Sequence, residues 1–401
     1  MNSLLFYCQH SLGMGHLVRS LALASSLREH YRVVFLNGGP LPRGVEIPAG
    51  VELVNLPPLG LDDAGRLISR DRRRSLERAQ SLRQQIILDT YQRVRPLVLF
   101  IELFPFGRKK FATELLPLLQ AARQPASGRR LICCSLRDIL VSKGGQQKQH
   151  DERAVELANK YFDVVLVHSD PDFARLEDSL VSYSSLRVPV HYTGFVQPQR
   201  HNGSFSRQKQ ILVSAGGGLV GERLFRVAIQ AWQLWGRRDG LKLRIVAGPF
   251  LPENAWQSLR RLLQRSEGIS LQRFLPDISA EMHASIASIS QSGYNTVLDI
   301  LNAQVPALVV PFGAGQEDEQ LKRARRLERY GAIRLLEQAE INPERLALEL
   351  ERLLEFTPRH IALEVNGAAN TTRIVHSLIA SARRQPKTLP QRASEQHEVQ
   401  L

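Results

Sequence analysis

A doubled rhythm constrains this chain more than any other feature: short apolar runs alternate with longer amphipathic stretches, in two series separated by a polar segment. In the first series the runs are Leu4–Cys8, Tyr31–Leu36, Leu97–Ile101, Leu131–Ser135 and Val164–His168, with stretches such as Leu17–Arg28 and Glu152–Lys160 between them. Runs apolar at successive positions suit parallel strands buried on both faces, and the stretches between them suit crossover helices. After Thr193-Gly194, the segment 196–210 is polar and carries Pro198, Asn202 and Gly203, a linker composition. The second series has strands at Ile211–Ala215, Leu243–Ala247, Ile269–Phe274, Ala284–Ile289 and Ala307–Val310. Its helices fall at Glu222–Trp235, Asn254–Gln264, Thr296–Ala303 and Glu317–Tyr330. The pattern predicts an α/β protein of two doubly wound, Rossmann-like domains, 1–195 and 211–382, facing across a cleft at the carboxyl ends of their strands. A length of 401 residues exceeds one comfortable core and agrees. The tail, 383–401, is polar and proline-containing, a composition that predicts disorder.

The formal net charge of +14 favours anionic partners: nucleic acid, an anionic membrane surface or phosphorylated substrates. Aromatic residues, at 6%, are too sparse for a dedicated nucleic-acid binder, so no nucleic-acid partner is expected. The three cysteines, Cys8, Cys133 and Cys134, have neither zinc-ligand spacing nor the even count of a disulfide framework, which fits a reducing compartment. The apolar start Leu4-Leu5-Phe6-Tyr7 is too short for a signal-peptide core, and no run approaches the ~20 residues of a membrane span. A cytoplasmic protein is expected, with any membrane contact peripheral. The segment Arg66–Arg83 holds Arg66, Arg70, Arg72, Arg73, Arg74, Arg78 and Arg83 against Asp71 and Glu77. It reads as a solvated helical face, or as a surface for anionic lipid at about 1 kcal/mol per basic residue.

Three glycine-bearing turns join a strand to a helix, and each is a candidate anion site, because N–H groups and the helix dipole converge there. The first is Gly13-Met14-Gly15-His16. It is not the dinucleotide fingerprint: Val18 stands where a third glycine belongs, and Asn37-Gly38-Gly39, not an acid, ends the next strand. His16 lies in the first helical turn, where the dipole lowers an imidazole's pKa and suits it to act as a general base. A histidine packed under the turn, or capping it, accounts for the same position. The second turn, Ser214-Ala215-Gly216-Gly217-Gly218, is a phosphate loop or a flexible connection. The third, Ser292-Gly293, opens a helix carrying Thr296 and Asp299, with Asp299 close to two turns past Ser292, about 10 Å along the same face. A diphosphate at the helix start and a ribose diol at Asp299 fit that spacing, and so does an exposed aspartate. Farther on, Glu317-Asp318-Glu319-Gln320 opens another helix; capping explains Glu317 and Glu319, while Asp318 and Gln320 are suited to sugar hydroxyls. Glu102 ends a strand, either as a second catalytic or acceptor-binding group or as a buried, paired glutamate. Asp170-Pro171-Asp172 imitates a metal-binding D-x-D, but proline suits the first turn of a helix and aspartate its cap.

Together the glycine turn with His16, the turn Gly216–Gly218, and S-G-x-x-T-x-x-D followed by V-P-F and E-D-E-Q resemble a known family. It is the one containing the bacterial GlcNAc-transferase of lipid-linked peptidoglycan precursors, with a family 28-like C-terminal domain. The resemblance spans both halves and is strongest from Phe274 to Ala332. It implies a GT-B fold and an inverting, metal-independent transfer from a UDP-sugar, with no other cofactor, to an acceptor that is lipid-linked or a polysaccharide precursor. It also implies roles by position: His16 near the reaction centre; Gly13 and Gly15 at the donor; Ser214, Gly216, Gly217 and Gly218 at the donor phosphates. Leu275 matches the residue beside the base, Asp299 the ribose ligand, and Asp318 and Gln320 the donor sugar contacts, with Ser292, Gly293 and Thr296 completing the expected donor-binding set. The chain departs from the pattern in having Met14 between the first glycines and an aspartate for the ribose glutamate. Phe195-Val196-Gln197 also replaces an arginine expected after Thr193-Gly194. The segment Gly13-x-Gly15-His16-x-x-Arg19 also looks like nucleotide-sugar hydrolases of sialic-acid-like sugar synthesis.

Overall fold

The computed structural model describes residues 1–10, 14–42, 44–62, 65–125, 128, 130–141, 144–197, 206–236, 240–264, 266–313 and 318–384. Two parallel sheets organise it. The first is built from β1 (Ser3–Cys8), β2 (Arg32–Asn37), β3 (Glu52–Asn55), β6 (Val98–Glu102), β7 (Leu131–Arg137), β8 (Val164–His168) and β9 (Val190–Tyr192), in the order β3-β2-β1-β6-β7-β8-β9. A small antiparallel hairpin, β4 (Leu59–Leu61) and β5 (Leu67–Ser69), stands beside it. The helices of this half are α1 (Gly15–Leu27), α2 (Leu76–Val94), α3 (Ala112–Arg123) and α4 (Gln147–Tyr161). The second sheet runs β12-β11-β10-β13-β14-β15, from β10 (Gln208–Ser214), β11 (Lys242–Val246), β12 (Ile269–Gln272), β13 (Ser285–Ser290), β14 (Ala307–Val309) and β15 (Arg334–Leu335). Its helices are α5 (Glu222–Trp235), α6 (Glu253–Leu263), α7 (Ile278–Ala284), α8 (Tyr294–Ala303), α9 (Glu319–Arg329) and α10 (Pro343–Glu355).

The central strands explain the layering. Leu4, Leu5, Phe6, Tyr7 and Cys8 of β1 are all fully buried, because helices cover both faces. Phe6 packs between Phe35 and Phe100 of the neighbouring strands, with ring centroids 5.3 and 5.2 Å away. The last helix, α11 (Gly367–Arg384), falls by sequence within 211–382 but packs on the first sheet's side. Its Val375 and Ile379 join the apolar cluster of Leu21, Leu23 and Leu27 on α1, and Thr372 hydrogen-bonds Ser26 at 2.8 Å. Among the described residues no helix is long and apolar enough to cross a membrane.

Arg66–Arg83 is not one helical face. It runs through strand β5 and a turn, and only then enters α2, whose first turn is capped by the Ser75 hydroxyl accepting from Arg78 N–H. Arg83 is fully buried: its guanidinium donates to both Glu114 carboxylate oxygens, to Gln9 Oε1 and to the carbonyls of Gly38 and Pro57. It cannot reach a membrane. Because removing one partner of a buried pair strands the other charge, Arg83→Leu is expected to lose about 3–5 kcal/mol of stability in urea denaturation. An unchanged midpoint would mean that Glu114 finds water or a proton without cost.

Candidate active site

Each sheet changes winding direction beside its first strand. β1 lies between β2 and β6, and β10 between β11 and β13. Crevices at the carboxyl ends of such strands are where doubly wound sheets take ligands. The sequence candidates collect at these two points.

At the first, His16 Nδ1 lies 2.5 Å from Glu102 Oε1, and Arg19 Nη2 donates to the same oxygen at 2.8 Å. Arg108 Nε stands 3.6 Å from Glu102 Oε2. Glu102 is fully buried; burial alone would raise its pKa, yet the hydrogen bond from His16 and the charges of Arg108 and Arg19 hold it well below the usual carboxylate range. Burial lowers the His16 pKa to about 3, against the pull of Glu102 and with help from Arg108 and Arg137. The helix dipole invoked from sequence is therefore not needed: loss of solvent is the leading cause. An ionised Glu102 accepts the Nδ1 proton, which leaves the Nε2 lone pair of a neutral imidazole available. Glu102 does not face the cleft; it orients His16.

At the second point a cavity of about 550 Å³ lies between the two units. Gly15 at the start of α1 forms one wall, and Ser214 at the end of β10 with Gly216, Gly217 and Gly218 beyond it form another. Gly218 has φ +87°, and a Cβ there would strike the Ala247 carbonyl, so this turn requires glycine. Gly293, Thr296 and Asp299 bring the first two turns of α8 to the same space, with Leu275 and Gln320 beside them. Gln320 accepts from Phe312 N–H at 3.0 Å.

Among the described residues, Ser292, Asp318 and Asp170 stand elsewhere. Ser292 is fully buried, and its hydroxyl donates to the Gln320 carbonyl at 2.6 Å, so it braces the loop instead of facing the cavity. Asp318 precedes α9 and pairs with Lys322 at 2.7 Å, off the cavity wall. Gly13, together with Glu317, lies outside the described residues. Asp170 accepts from the N–H groups of Asp172 and Glu364, a loop anchor without the helix expected after Pro171.

Sequence reasoning missed what joins the two points. Arg323 of α9 donates twice to Asp138, just beyond β7, at 2.6 and 2.8 Å, and once to the Ser292 carbonyl at 2.6 Å. All three residues are buried. Arg137 pairs with Glu319, and Tyr294 donates to the His168 carbonyl at 2.9 Å, both across the same seam. Only pairing at a distance of 185 positions identifies Arg323, and no local spacing signals it.

Residues 212–378 match the model of the glycosyltransferase family 28 C-terminal domain. A protein of Alkalilimnicola ehrlichii named UDP-N-acetylglucosamine--N-acetylmuramyl-(pentapeptide) pyrophosphoryl-undecaprenol N-acetylglucosamine transferase is 36% identical over 227 residues, 49% of this chain and 59% of that relative. The chain thus spans less than two thirds of that relative's length. Among solved structures, CalG4, the calicheamicin glycosyltransferase, is similar with a TM-score of 0.59 at 16% identity, covering 96% of this chain and all of that one. MurG from Acinetobacter baumannii is similar with a TM-score of 0.55 at 17% identity, covering 94% and 99%. The fold is GT-B. Within it, residues 212–378 resemble the family 28 glycosyltransferase C-terminal domain.

Asp299 gives this site a measurable pH signature. Burial, with Asp277 adding and Ser279 opposing, pushes its carboxyl from an ordinary 3.8 up to about 7. The folded state therefore prefers the acid form, and stability falls as pH rises from about 4 to 7. Asp299→Asn is expected to raise Tm at pH 8, with the gain shrinking through pH 7 and vanishing near pH 4 in scanning fluorimetry. A gain independent of pH would mean that the carboxylate is already well solvated in the fold.

Proposed function

We propose that this chain transfers a hexose or N-acetylhexosamine from a UDP-sugar to an acceptor hydroxyl, with inversion and without a metal ion. One observation carries the reading: a neutral imidazole, oriented by a buried carboxylate, stands at one switch point, while glycine turns and a helix start line a cavity at the other. In this reading the diphosphate rests against Gly216–Gly218 and the first turn of α8, and Asp299 takes the ribose hydroxyls. Gln320 meets the hexose, whereas Asp318, turned to Lys322, does not. His16 Nε2 takes the acceptor hydroxyl's proton as its oxygen attacks the anomeric carbon. The bond from that carbon to the diphosphate oxygen breaks, and UDP leaves. Glu102 stabilises the imidazolium as it forms. Oriented N–H groups at the helix start and glycine turn stabilise charge on the departing diphosphate.

The acceptor is proposed to be lipid-linked or a polysaccharide precursor, met at the cytoplasmic membrane face. The exposed arginines at Arg72–Arg74 would supply a peripheral contact there. His16→Ala is expected to lower transfer by about 10²–10⁴-fold over a panel of sugar and lipid-phosphate acceptors. UDP affinity by calorimetry should stay within about twofold, since His16 touches the acceptor side only. Unchanged turnover removes His16 from the mechanism. Fast UDP release without any acceptor would instead mark a nucleotide-sugar hydrolase using water at the same position.

A further inference from the structure

We infer that Asn295 recognises the transferred sugar, accepting a hydrogen bond from a hydroxyl or amide N–H of the hexose. The inference rests on the donor site proposed above and names a contact that neither the motif nor the resemblance supplies.

Asn295 lies in the first turn of α8 and lines the cavity. Its carboxamide oxygen is buried and, among the described residues, has no hydrogen-bond partner. Buried polar atoms of folded chains are nearly always paired, so an orphan beside a cavity marks a partner still to come. The turn that carries it is rigid. Tyr294 donates to the His168 carbonyl, accepts from Val196 N–H at 2.9 Å, and lies under the Arg19 guanidinium at 5.3 Å.

Chemistry narrows the occupant. A carboxamide oxygen only accepts, and a diphosphate offers it nothing to accept. Sugar hydroxyls and N-acetyl N–H groups do. Position narrows it further. Asn295 and Asp299 are four residues apart on one helical face, and in the donor reading Asp299 holds the ribose. The Asn295 amide nitrogen lies 3.9 Å from where a Cβ on Gly15 would sit, next to His16. The group at this end of the donor, beyond the phosphates and beside the base, is the one being transferred. The broad torsion at the end of an asparagine side chain lets the oxygen turn into the cavity when that group arrives.

The test compares UDP, UDP-glucose and UDP-N-acetylglucosamine by calorimetry, for the unaltered protein, Asn295→Ala and Asn295→Leu. A lost hydrogen bond should weaken at least one UDP-sugar by about 5–10-fold and leave UDP within about twofold. Weakening of both sugars assigns a hydroxyl; weakening of UDP-N-acetylglucosamine alone assigns the acetamido N–H. Asn295→Leu should also hold or raise Tm, because it removes an unpaired buried polar atom. Equal sugar affinities in all three proteins would overturn the assignment, as would equal weakening of UDP and the UDP-sugars. Failure of the unaltered protein to bind UDP at all would instead sink the donor-site reading itself.

Discussion

The Arg323 guanidinium sets the geometry on which the rest of the cleft depends. One edge of it grips Asp138 of the first unit; its remaining arm holds the carbonyl just ahead of the α8 helix start in the second. A buried ion pair is weak evidence for stability, since desolvation offsets most of its attraction. Its use here is positional. It fixes the distance between the loop suited to phosphates and the first sheet's edge, where Glu102 ends β6 and His16 lies in the first turn of α1. The sequence pattern suggests two bodies hinged at a linker, but the seam of Arg323, Arg137–Glu319 and Tyr294–His168 makes α9 and the start of α8 part of a shared wall. Relative motion of the two units therefore has to leave this seam intact, or break the Arg323–Asp138 pair, which water does not reach.

The chemistry of the site follows from two burial effects of opposite sense. Removing much of the solvent from His16 keeps its imidazole neutral, whereas Glu102, buried more deeply, stays ionised because arginines surround it. The pair thus splits into a base and an orienting anion without help from substrate. On the donor side, Asp299 has no cation beside it among the causes of its shift, and burial drives it towards the acid form. A carboxylate kept at some cost to the fold suits a group that gains its hydrogen bonds from a ligand.

How much of this was legible in the sequence depends on the range of the interaction. Continuously apolar runs, such as Leu4–Cys8 and Val164–Val167, are visible because burial on both faces leaves no alternation to mistake. The glycine turns are visible because backbone geometry, as at Gly218, permits no other residue. The packing of α11 on the first sheet's side is not legible, because its amphipathic face says that it packs, not on what. The arginine-rich segment misled for a related reason: Arg83 looks like its neighbours, and only the convergence of Glu114, Gln9 and two carbonyls turns it into a core residue. Ser292 and Asp318 sit correctly in the motif but turn to Gln320 and Lys322, contacts that local spacing does not encode. Arg323 and Asp138 were invisible for the same reason.

The central claim is that the cavity between the two switch points holds a sugar nucleotide with its anomeric carbon towards His16. A crystal structure with a bound UDP-sugar tests it most directly. The expected result is a diphosphate against Gly216–Gly218 and the first turn of α8, the ribose on Asp299, and the hexose lying between Asn295 and His16 Nε2. A nucleotide seated outside this cavity, or one whose sugar points away from His16, would contradict it.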